Sequence, residues 1–413
     1  MSYDYDLVIE IGSPPQFFGV QNFVKELIKR SDIKFICLVP VVEDRHSREM
    51  FNQVYKLVES AGFEVTRKAP KSCKVLLAAW PRENIKYKYV LRYTYSLLTA
   101  KPNPVYLPDS QRRYHGILTQ NIFEYETLKV YANTYFVPNL KYIGWKKEKT
   151  SGKAVLFLPT WNAAALGEIG NINVGEDIIP ALKELKENGY HVIVKAHPIT
   201  LSDPATRHYE ENIKKIADEY FDANTGIQDV LAKADLVISD NSGAIYEALY
   251  SHIPVVVYGD RTNVRHLGSI DTAHYRWIKQ GVIENPNSPE ELLSAIEKGL
   301  KKDYLKKQQE IADKTFKRVY DNSAVDAWME VIDKYLRDEV SQDYIELHNY
   351  YMDFIDGKDQ RVQQLLNEMH QKNNELNELV SQFNNEQNPG IRTATKRLAK
   401  ALVYKLGIIK REA

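Results

Sequence analysis

The chain has 413 residues, 44% of them hydrophobic and 27% charged, with 55 basic residues against 55 acidic ones and so no formal net charge. That length suits two domains and an appendage. The composition excludes a disordered or membrane-embedded chain, and the charge balance gives no reason to expect nucleic acid as a partner.

The first residues, MSYDYDLVIEIG, lack the basic and apolar regions of a signal peptide. No apolar run reaches the roughly 18 residues that span a bilayer, so a cytoplasmic protein is expected. From Leu7 to about Pro138, short β-branched runs (LVIEIG, IKFICLVP, CKVLLAAW) alternate with helix-period stretches (VQNFVKELIKR, REMFNQVYKLVESAG). Cys37 and Cys73 fall inside two of these runs without zinc-site or disulfide spacing, and are expected as buried thiols. A second series begins at Ala154, with strands AVLFLPT, HVIVKAHP, LVISD and PVVVYGD separated by helical stretches such as EDIIPALKELKENG and GAIYEALYSH. Two such βα series predict two Rossmann-like domains on parallel sheets, 1–140 and 141–337, with a last helix near Ser323–Leu336 returning to the first.

Beyond about Asp338 the pattern changes. Val362, Leu365, Met369, Leu376, Leu379 and Phe383 follow a heptad that Lys372 interrupts. Residues 338–387 therefore form either a short coiled coil that joins copies of the chain or a single docked amphipathic helix. Asn388-Pro389-Gly390 ends that helix. In 391–411, Leu398, Leu402, Leu406 and Ile409 share a face beside seven Lys and Arg residues. This pattern suits an anchor lying on an anionic membrane, the alternative being a docked or disordered basic tail over 388–413.

Chemistry concentrates where strands end. The run ADLVISD-NSG-AIYEALY places Asp240, Asn241, Ser242 and Gly243 between a strand and a helix, where free backbone N–H groups suit a phosphate. Ordinary capping of the turn is the alternative. VIVKAHP puts Lys195 and His197 on one side of a strand end, both able to meet an anion. Thr160 follows the first strand of the second series. In the first series, His115 precedes a glycine and is expected at a strand end facing the cleft, as a general base for an attacking hydroxyl. Arg112 and Arg113 beside it would attract an anionic acceptor.

Four segments in order, Tyr114–Gly116 (Y-H-G), Leu158–Trp161 (L-P-T-W), Lys195–Pro198 (K-x-H-P) and Asp229–Glu247, together resemble the CDP-glycerol glycerophosphotransferases of teichoic acid and capsule synthesis. The resemblance runs from about Asp109 to Leu336. It implies a GT-B-like α/β fold of two Rossmann-like domains facing a cleft, here with a helical C-terminal extension. It also implies His115 as catalytic base and Thr160, His197 and Ser242 around the donor, beside which the strand ends themselves add Lys195, Asp240, Asn241, Gly243 and Glu247 as donor-binding residues. The partners it implies are a nucleotide-activated donor such as CDP-glycerol and a lipid-linked acceptor. No cofactor or metal is called for, and the expected location is the cytoplasmic face of the membrane. The sequence departs from the family in having Asn241-Ser242 for paired serines and Y-H-G-I-L for W-H-G-T-P. The same turn resembles that of UDP-N-acetylglucosamine 2-epimerases, although Ala248 stands where they carry a second Glu. A third possibility is a non-catalytic assembly protein at the membrane.

Overall fold

In a computed structural model of the chain, the described residues are 3–41, 45–81, 85–98, 111, 113–130, 132–159, 178–197, 207–222, 224–240, 242–259 and 273–341, with further helical residues between 345 and 375. The chain divides into two compact units, Met1–Gln342 and Asp343–Ala413. In the second unit the described residues from 345 to 375 are helical, and Leu365 and Met369 of the heptad are 44% and 60% exposed. Val362, Leu376, Leu379, Phe383 and the whole of 391–411 lie outside the described residues.

The first unit holds two parallel sheets. One contains β1 (Tyr5–Glu10), β2 (Phe35–Leu38), β3 (Val65–Thr66), β4 (Ser72–Ala78), β5 (Lys86–Tyr93), β6 (Gly116–Thr119) and β7 (Thr134–Phe136), in spatial order β3-β2-β1-β4-β5-β6-β7. The other contains β8 (Ala154–Leu158), β9 (His191–Lys195), β10 (Glu219–Phe221), β11 (Leu236–Ser239) and β12 (Val255–Val257), in order β10-β9-β8-β11-β12. Every residue of β8 and β12 is buried, as in a sheet covered on both faces. In each sheet the order reverses beside the first strand, between β1 and β4 and between β8 and β11. Such switch points open crevices at the carboxyl ends of strands, where ligands bind.

Helices cover both sheets. Pro14–Leu27 starts where Ser13 caps Gln16 N–H and Pro14 fits the first turn, and it buries Phe17, Val20, Phe23, Val24 and Leu27. The helix Ser323–Leu336 has the bounds expected from its sequence and returns to the first sheet. Trp328 packs on Phe23 and Tyr93 and donates its indole N–H to Pro138 O at 2.9 Å. Beyond the helix end, Asp338 receives Lys88 at 2.6 Å, Lys74 at 2.9 Å and the Tyr89 hydroxyl at 2.9 Å. The two cysteines are buried, and burial pushes both thiols up to about 12, as expected of inert core positions.

Candidate functional site at the carboxyl ends of the second sheet

The second sheet's switch point falls at the turn singled out from sequence. β11 ends at Ser239, whose hydroxyl bonds to Leu158 O of β8 at 2.9 Å and ties the two strand ends together. Asp240 is fully buried behind it. Ser242 Oγ then accepts the N–H of Ala244, opening the helix Ala244–Tyr250, every residue of which is buried. Gly243 has helical φ, so its glycine serves close approach rather than unusual backbone. A Cβ there would lie 3.3 Å from Ser96 Oγ and 3.8 Å from Leu98 O. The stretch leaving β5 in the first sheet therefore runs directly over the turn, and Leu97 and Leu98 pack into the same core as Ala244 and Ile245.

Lys195 closes β9 on the same edge. Phe157 pairs with Val194 on one side and Ile238 on the other. The next row thus aligns Lys195, Leu158 and Ser239 on one face of the sheet. Lys195 is 6% exposed, and among the described residues its ammonium bonds to Ala196 O at 3.2 Å. Burial pulls it down to about 8; Asp222 opposes that shift, and the charge of Lys141 adds to it. His197, two residues on, is half-buried. The structure thus places Lys195, His197, Ser239, Asp240, Ser242 and Gly243 at or just beyond the carboxyl ends of β9 and β11, with β8 between them. Thr160 and Asn241, expected with them, lie outside the described residues.

Glu247 has another task. Its Oε1 accepts Lys141 Nζ at 2.6 Å and its Oε2 accepts the Tyr142 hydroxyl at 2.6 Å, with the Lys141 and Glu247 side chains 4% and 7% exposed. Lys141 and Tyr142 belong to the short turn Leu140–Tyr142 in the segment joining the two sheets. Asn139, which caps that turn, donates to Gln120 Oε1 at 2.6 Å, and Gln120 donates to Thr94 O. A buried polar chain therefore runs from the first sheet's strand ends, through the connection, to the helix behind the turn. Both carboxylate oxygens of Glu247 are engaged inside the protein, which corrects the expectation that it faces the donor.

His115 also differs from expectation. It lies ahead of β6, at the strand's amino end, because the strand begins at Gly116 and pairs with Leu91. Four residues at 3.3 Å each put it about 13 Å from the carboxyl edge at Thr119. It is 4% exposed, accepts the Val90 N–H at Nδ1 (3.0 Å), meets the Tyr89 ring edge-on and receives the Tyr335 hydroxyl on its carbonyl. The following glycine has a packing reason too: a Cβ on Gly116 would collide with Tyr335 and Leu91. Arg113 is exposed two residues earlier, and Arg112 lies outside the described residues. The residues that do face the turn from the first sheet, Thr94 to Leu98, went unnoticed in the sequence. Their signal was their place just after a strand that was itself missed.

A pair of parallel sheets, each with its switch point, meeting at a crevice that holds a buried lysine and a small-residue turn, defines a GT-B-like α/β protein with an anion-suited site in its second half. Residues 141–334 match the family model described as CDP-glycerol:poly(glycerophosphate) glycerophosphotransferase. That stretch, 194 of the 413 residues, is similar to this family. The chain is similar in fold to a solved wall teichoic acid polymerase TagF soaked with CDPG, with TM-score 0.51, 13% identity, and 82% of this chain and 90% of that one covered. It is similar also to a putative UDP-N-acetylglucosamine 2-epimerase from Listeria monocytogenes, with TM-score 0.52, 14% identity, and 83% and 98% covered. No curated protein matches the chain.

Proposed function

We propose that the protein transfers a glycerophosphate-like group from CDP-glycerol, or a similar nucleotide-activated donor, to a hydroxyl of a lipid-linked cell-wall or capsule acceptor. The acceptor oxygen attacks the glycerol-bearing phosphorus, the bond from that phosphorus to the CMP oxygen breaks with its electron pair going to CMP, the hydroxyl proton passes to water, and CMP departs. The observation that carries the reading is the buried ammonium of Lys195 on the same strand-end edge as Ser242 and Gly243. A cation held in a poorly solvated crevice gains most from an anion whose charge grows as the bond breaks. His197 and the hydroxyl of Ser242 complete the diphosphate contacts, with Thr160 and Asn241 added from the sequence motifs.

The epimerase reading is weaker. Glu247 stands at the first acidic position of that family's turn, and its oxygens are bound by Lys141 and Tyr142. The basic segment 391–411 holds the enzyme at an anionic membrane beside its acceptor, and the heptad of 338–387 joins copies of the chain. Among the described residues no helix is long and apolar enough to cross a membrane.

The test is CMP release from CDP-glycerol by purified protein, with and without a glycerol phosphate oligomer as acceptor. Release that requires the oligomer supports transfer. Turnover of UDP-N-acetylglucosamine with no acceptor present would favour the epimerase instead. For the tail, a chain ending at Asn388 should fail to float with anionic vesicles that carry the full-length protein; equal flotation removes the anchor.

A further inference from the structure

The first sheet has its own switch point, and one polar atom there is left over. β4 ends at Ala78, and two residues later Trp80 stands beside the β1–β4 reversal. Its indole N–H is buried and has no hydrogen-bond partner among the described residues. Tryptophan has only that one donor. Burying it unpaired costs about 1–3 kcal/mol, and folded proteins satisfy the great majority of such groups. Two other indoles of the protein are paired: Trp145 donates to Gln228 O at 2.8 Å and Trp328 to Pro138 O at 2.9 Å.

The surroundings are held in place. The Tyr114 hydroxyl bonds to Ala79 O at 3.4 Å, and the Tyr93 hydroxyl bonds to Glu10 O at 3.1 Å, fixing the ends of β4 and β1. The Trp80 ring meets Tyr95 edge-on, with centroids 5.3 Å apart. Tyr95 precedes Ser96, the residue lying over Gly243 across the seam. The unpaired donor is thus one aromatic ring and one residue removed from the donor turn, on the opposite wall.

We propose that Trp80 is an acceptor-binding residue: its indole N–H donates to an oxygen of the acceptor's terminal polyol unit, and the Trp80–Tyr95 pair forms the apolar corner that seats that unit facing the Gly243 turn. An aromatic pair with one unpaired N–H suits a ligand that is part hydrocarbon and part hydroxyl, better than it suits a free anion, which would seek a cation. The inference rests on the transfer reading above and adds the residue that recognises the acceptor.

The experiment uses the full chain labelled with 15N-tryptophan, whose five indole N–H signals include that of Trp80, assigned by its loss in Trp80→Phe. Titration with a glycerol phosphate oligomer should move the Trp80 signal, while CMP or inorganic phosphate alone should leave it in place. Trp80→Phe keeps an aromatic ring and removes the donor, so it should raise the oligomer KM about tenfold, the worth of one buried hydrogen bond, with the Kd for CDP-glycerol unchanged. A stationary Trp80 signal in the oligomer titration, an equal response to CMP or phosphate, or an unaltered oligomer KM each overturns the proposal. Should Trp80→Phe not fold, Tyr95→Phe, which alters the ring against Trp80, assigns the signal and the titration decides. If CDP-glycerol is never turned over, the transfer reading falls separately, since the titration with oligomer needs no reaction.

Discussion

The buried pair of Lys141 and Glu247 gives the most direct test of how the two sheets are joined. Glu247→Gln preserves the shape of the side chain and an acceptor for the Tyr142 hydroxyl, but it leaves the Lys141 ammonium, 4% exposed, without its counter-charge at 2.6 Å. Removing one member of a buried pair costs about 3–5 kcal/mol, because the remaining charge stays desolvated. At roughly 2 °C per kcal/mol, the low end suited to a large unit, the melting temperature should fall by about 6–10 °C. The double variant Lys141→Met/Glu247→Leu removes both charges and should recover most of that loss, since an apolar pair of similar size is often as stable as the ion pair. Thermal unfolding followed by circular dichroism, with urea titration as a second measure, reads both effects. A single variant within about 1 kcal/mol of the parent, or a double variant as unstable as the single, would refute the reasoning.

Two further expectations follow from the site. Lys195 sits at about 8 in the folded chain against an ordinary 10.5, so between those values the unfolded chain holds the extra proton and this residue's contribution to stability rises with pH. Donor binding to the ammonium runs the other way: the Kd for CDP-glycerol should rise about 30-fold from pH 7 to 9.5, as the charged fraction falls, and calorimetry on Lys195→Met should give a flat, weak profile. A steep profile that survives in Lys195→Met assigns the titration elsewhere. His115→Ala removes the acceptor of the Val90 N–H and the ring against Tyr89, and should cost about 2–4 kcal/mol in urea denaturation with kcat changed only a few-fold. A collapse of kcat in a variant that remains folded would restore His115 as the base.

Much of the second sheet was legible. β9, β11 and β12 are rich in β-branched residues and β8 is an apolar run, so the edge that carries Lys195 and Ser242 could be placed from spacing alone, whereas β10 (Glu-Tyr-Phe) could not. The first sheet was harder. β5 opens on the charged stretch Lys86–Lys88 and only then becomes buried, while β3 and β7 have two and three half-buried residues. Missing β5 hid the Thr94–Leu98 wall, and missing β6 turned His115 from the start of a strand into its end. The partners of Glu247 were invisible for another reason: Lys141 lies 106 positions away and meets it only through the packing of the joining segment. The helix read from Val20 in fact starts six residues earlier at Pro14, where the Ser13 cap and the two prolines set its first turn.

The return of Ser323–Leu336 to the first sheet also bears on how the chain is made. Phe23, Tyr93 and Pro138 emerge early, yet the side chain that covers them, Trp328, and the clamp at Asp338 come last. At the usual 5–20 residues per second, the roughly 200 residues between Pro138 and Asp338 take about 10–40 s to synthesise. For that interval the nascent first half carries an uncovered aromatic surface. Its completion waits on the second half, which makes the two halves successive in synthesis but simultaneous in maturation.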